Sequence, residues 1–87
     1  MSRLDKAKDR LKAIPKDYTY SEAKTLLNQL GFTEYNKGKT SGSRVKFVRQ
    51  SDGEMILLHK PHPSDVMIYK SVYGLMKFLQ RIGELDE

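Results

Sequence analysis

The chain has 87 residues and no cysteine, with 16 lysines and arginines against 11 acidic residues and a formal charge of +5. That length bounds it to one small domain held by apolar packing alone, and it excludes disulfide frameworks, thiolate metal sites and elaborate cofactor clefts. The positive balance favours a polyanion or an acidic protein as partner, and with no apolar run fit for a signal segment or a membrane span the chain reads as cytoplasmic, with no membrane association.

Residues 1–16 are a charged segment in which Leu4, Ala7, Leu11 and Ile14 make a thin stripe of near-helical period, either a short helix or a frayed arm. Pro15-Lys16-Asp17 interrupts it, and residues 17–87 carry the domain proper. Thr19 stands three residues before Glu22, the spacing of a capping box, so a helix should begin there. Ala23, Leu26, Leu27 and Leu30 recur at i, i+3, i+4 and i+7, and Gly31 follows as a permissive stop, which predicts a helix over Tyr20–Leu30.

Phe32 to Lys37 reads as a short edge strand, and Lys37-Gly38-Lys39-Thr40-Ser41-Gly42-Ser43 as a cationic, hydroxyl-rich loop. Arg44–Gln50 and Glu54–Lys60 are strand-like runs around Ser51-Asp52-Gly53, and Asp-Gly is a strong signal for a two-residue hairpin because both positions tolerate positive φ. Taking Asp52-Gly53 as the turn pairs Phe47 with Leu58, Arg49 with Ile56, Lys46 with His59 and Arg44 with Pro61. Side chains alternate, so Val45, Phe47, Ile56 and Leu58 should face the helices while Arg44, Lys46 and His59 share the opposite face. A one-residue slip would reverse that assignment. After Pro61-His62-Pro63 the chain re-enters a helix near Tyr69 or Lys70, with Val72, Leu75, Met76 and Leu79 as its apolar stripe, Lys70, Lys77 and Arg81 off it, and Gly83 as its stop.

The predicted architecture is α+β: α-β-β-β-α, a three-stranded antiparallel sheet with two helices on one face and the charged N-terminal segment added in front. Three short motifs stand in this frame: Gly31-Phe32 after the first secure helix, Gly42-Ser43-Arg44-Val45-Lys46-Phe47 entering a strand, and His59-Lys60-Pro61-His62-Pro63 leaving the next. In their order, from about Asp17 to Leu85, they resemble the HicA family of bacterial toxin endoribonucleases. The family pattern is Gly-Phe, then Gly-Ser-His-x-x-Phe/Tyr on a strand, then a histidine beyond the third strand and a closing helix. This chain has Arg44 where the family usually has its catalytic histidine.

The resemblance implies a double-stranded-RNA-binding-domain-like fold and a metal-independent mRNA interferase, the toxin of a type II toxin-antitoxin pair. It also implies a HicB-like antitoxin, usually acidic, that masks the active face. Metal-free RNA cleavage needs a base for the ribose 2′-hydroxyl, an acid for the leaving oxygen and cations for the charged phosphorane. Histidine suits proton transfer, with an unperturbed pKa of roughly 6.5, and the chain has 2 histidines, His59 and His62. His59 shares a predicted face with Arg44, whereas His62 matches the family histidine after the third strand. Arg44 cannot act as a base but can bind phosphate through paired N–H groups. The catalytic candidates are therefore His59, His62 and Arg44.

Lys37, Lys39, Ser43, Lys46 and Lys60 are the candidate RNA-binding residues, and Tyr35 is the tyrosine best suited to stack on a base. Gly38-Lys39-Thr40 matches a Walker tripeptide by letter, but no glycine lies five residues before it and a strand follows, so no nucleotide cofactor is implied. His59-x-x-His62-x-x-Asp65 has the look of a metal-ligand string, yet a strand followed by two prolines splays its members, so no metal is expected. The competing reading is a non-catalytic RNA-binding module, or a protein that only binds an antitoxin, in which both histidines are ordinary residues at a strand-to-loop junction.

Overall fold

The computed structural model describes residues 2–35, 44–61 and 63–86. Within them the element order is α1 (Arg3–Lys12), α2 (Tyr20–Gln29), β1 (Phe32–Tyr35), β2 (Arg44–Arg49), β3 (Glu54–His59) and α3 (Tyr69–Arg81). The sheet is antiparallel with β2 in the centre. This is the order of a double-stranded-RNA-binding domain with one more helix in front. The predicted bounds agree to within two residues at each described end. Asn36 and Lys37, which the sequence assigns to the first strand, lie outside the described residues, as does the rest of the loop through Ser43.

The N-terminal segment is a packed helix. Ser2 caps it by accepting the Asp5 N–H through its hydroxyl, and Leu11 is completely buried. α1 packs on both α2 and α3. The joint with α2 is polar as well as apolar. Thr19 Oγ1 accepts the Glu22 N–H at 3.1 Å while Glu22 Oε1 accepts the Thr19 N–H at 3.0 Å, completing the predicted capping box. Arg10 of α1 then donates to both carboxylate oxygens of that same glutamate. The guanidinium is the main reason that Glu22 stays below the ordinary carboxyl range.

Phe32, Val45, Phe47 and Leu58 project from one face of the sheet into a core shared with Ala23, Leu26 and Leu27 of α2 and Val72, Leu75 and Leu79 of α3. The helices cover that face, and among the described residues nothing covers the other. Gly31, at φ +94°, turns the chain out of α2 and into β1, a conformation that disfavours any side chain.

The β2–β3 connection corrects the predicted pairing. Arg49 pairs with Glu54 and the loop between them is Gln50–Gly53, four residues rather than two, so Phe47 lies opposite Ile56, Val45 opposite Leu58, Lys46 opposite Leu57 and Arg44 opposite His59. The cause is Arg49. Its Nε and Nη2 grip the Asp52 carboxylate at 3.1 and 2.8 Å, and Asp52 also accepts the Glu54 N–H, which folds the aspartate back across the loop. Gly53 still supplies the positive φ, at +74°, and its N–H closes on the Arg49 carbonyl at 2.8 Å. The displacement is two residues, one full side-chain period, so the assignment of faces survives it.

Candidate nucleic-acid interface

The bare face of the sheet is organised in rows across the strands. Arg44 and His59 form one row, Tyr35, Lys46 and Leu57 the next, and Thr33, Val48 and Met55 the last. Arg44, Lys46 and His59 are all exposed. Directly opposed residues on one face have Cβ atoms about 5 Å apart, so the guanidinium and the imidazole can reach one phosphate together. Tyr35 is exposed beside Lys46, with its hydroxyl accepting from Gln50 Nε2 at 3.2 Å. Tyr35 thus lies on the same surface as the cations. Met55 and Leu57 are 44 % and 48 % exposed, which gives the face an apolar end next to its basic one.

The structure separates Lys60 from this group. It follows His59 by one residue, so it points to the other side of the strand, where its Nζ lies 6.0 Å from the centre of the Tyr20 ring. Tyr20 is buried and donates its hydroxyl to Glu34 at 2.8 Å, and Glu34 also pairs with Lys24 at 2.9 Å. Burial first, then the Glu34 carboxylate, pushes the Tyr20 phenol above its ordinary range. Burial alone would raise Glu34 too, but its bonds to Lys24 and Tyr20 leave it below the usual carboxyl value. Lys60 thus belongs to a polar cluster beside α2.

His62, Lys37, Lys39 and Ser43 lie outside the described residues. The segment that follows His62 is tied down on the N-terminus of α2. The Tyr20 N–H donates to the Asp65 carbonyl, the Met67 N–H to the Tyr18 carbonyl, both at 2.8 Å, and the Ser21 N–H to Asp65 Oδ2 at 2.9 Å. Hydrogen bonds from Ser21 hold the Asp65 carboxyl below its ordinary value. The third member of the His59-x-x-His62-x-x-Asp65 string is therefore occupied with Ser21. Among the described residues no group of three or more histidine and acidic side chains converges as metal ligands. No helix of the described residues is long and apolar enough to cross a membrane.

Sequence reasoning did not place α3 beside His59. Between β3 and α3 runs an open groove of about 380 Å³ lined by His59 and Leu57 on one side and by Lys70, Ser71, Gly74 and Phe78 on the other. Its one sequence signal is a glycine in the middle of an otherwise regular helix. The geometry defines an α+β domain with a bare sheet face carrying an arginine–histidine pair at one end. Compared with protein-family models, with curated proteins and with solved structures, the chain matches none.

Proposed function

We propose that this chain is a HicA-like toxin that binds and cleaves mRNA through the bare face of its sheet, and that an acidic HicB-like antitoxin covers the same face. The observation that carries the reading is the direct opposition of Arg44 and His59 on an exposed surface, with Lys46 in the adjoining row. In this mechanism Arg44 and Lys46 hold the scissile phosphate and stabilise the charge that builds on it. A histidine, His59 or His62, takes the proton of the ribose 2′-hydroxyl. The 2′-oxygen then bonds to phosphorus, the bond to the 5′-oxygen breaks, and an acid returns a proton to that oxygen, leaving a 2′,3′-cyclic phosphate and a 5′-hydroxyl end. Arginine at position 44 supplies binding and charge stabilisation but no proton transfer, so the histidines carry that work. The apolar Met55 and Leu57 beside the cations offer a protein partner a dry centre with a basic flank.

The test uses the purified chain with a chelator and end-labelled RNA, beside His59→Ala and His62→Ala. Cleavage by the parent that one of these variants loses, even at protein concentrations that saturate its RNA binding, supports the ribonuclease. Binding without cleavage makes the protein a non-catalytic RNA-binding module, and no RNA affinity at low salt leaves only the protein partner.

A further inference from the structure

Gly74 is unaccounted for by the fold. Glycine is the least favourable helix-interior residue after proline, and it sits near the middle of α3. Its φ is not positive, and a Cβ built on it meets no atom of the described residues within 4 Å, so neither backbone conformation nor close packing among those residues calls for it. A missing side chain at an open position lets a partner approach the helix backbone closely. Gly74 lines the groove between α3 and β3, and His59 lines it too.

The chemistry of the groove narrows what approaches. Leu57 and Phe78 give it apolar flanks, suited to a flat ring. Lys70 lies one helical turn before Gly74 and Lys77 nearly one turn after, both exposed, so an anion is favoured along that rim. A nucleotide of an RNA strand combines such a flat body with a phosphate and could enter beside the Arg44–His59 pair. Resting on the RNA reading above, we propose that this groove seats an unpaired nucleobase next to the bound phosphate, with Gly74 leaving room for the base and Lys70 holding the adjoining phosphate. The substrate is accordingly single-stranded at this point, because a base held in a duplex cannot turn into the groove.

The experiment measures fluorescence anisotropy at low salt with a labelled single-stranded RNA carrying 2′-O-methyl groups, which block cleavage, and with the same strand annealed to its complement. Parent, Gly74→Ala, Gly74→Leu and Lys70→Ala proteins are compared, each with a thermal melt. Gly74→Ala should raise Tm by about 4 °C, since it removes helix-interior glycine at an open position. Gly74→Leu should keep the fold and lower single-strand affinity about tenfold, and Lys70→Ala should weaken binding and reduce the salt slope by about one. The parent should prefer the single strand. A folded Gly74→Leu protein that binds within about twofold of the parent, or a parent that prefers the duplex, overturns the groove assignment and leaves RNA binding standing. No affinity of the parent for either probe overturns both.

Discussion

Arg44 lies directly opposite His59 across β2 and β3, both exposed on the face that none of the described helices covers. If the two side chains hold one phosphate, their effects on binding are coupled. Arg44→Ala and His59→Ala should each weaken RNA affinity, and the double variant should lose less than the sum, by about 1 kcal/mol. Anisotropy titrations of the four proteins measure this directly. Strictly additive losses would mean that the two residues do not meet on the same group.

Arg49 governs the hairpin from the opposite face. Its side chain, 11 % exposed, lies 4.9 Å from the centre of the Phe32 ring, donates to Glu84 at 2.7 Å and to the Leu30 carbonyl at 3.2 Å, and grips Asp52 in the loop. It joins the ends of α2 and α3 to the turn between β2 and β3. Arg49→Ala should cost about 2 kcal/mol of stability in urea unfolding, and Arg49→Lys should recover only part, because one ammonium cannot reproduce a planar fork. Full recovery by lysine would reduce the role of Arg49 to its charge.

α1 is part of the core, with Leu11 inaccessible to solvent. Leu11→Ala should destabilise the whole domain by about 3 kcal/mol, in one cooperative transition. An effect below about 0.5 kcal/mol would return the segment to the frayed arm that its thin apolar stripe allows.

Acid should weaken the joint between α1 and α2. The Glu22 carboxyl is held below its ordinary value of 4.5, chiefly by Arg10, so its ionised form favours the folded state. That contribution is complete above the ordinary value and is lost as pH falls through the lower folded one. Tm should therefore drop as the solution passes below about pH 4.5. Glu22→Gln keeps the reach of the capping box but removes the charge. It should melt below the parent at pH 7 and converge with it in acid; two melting curves that stay parallel across this range would assign the loss to other carboxylates.

What the sequence determined by itself was local. The Thr19–Glu22 box, the apolar stripes of α2 and α3 and the glycine after α2 each lie within a few residues, and they located these elements because capping and periodicity act over one or two turns. Alternation along β2 and β3 likewise assigned Arg44, Lys46 and His59 to one face, since the side-chain period tolerates the two-residue displacement. The displacement itself needed the tertiary structure, for it depends on Arg49 reaching Asp52 in the loop and Glu84 beyond α3. So did the fate of the first 16 residues, whose stripe is too thin to predict burial until α2 and α3 supply the surface that Leu11 fills. The opposition of Arg44 and His59, the turning of Lys60 towards Tyr20, and the placing of Gly74 and His59 on one groove likewise depend on separate elements. Local patterns state which side of its own strand or helix a residue occupies; only the packing of one element on another decides what stands across from it.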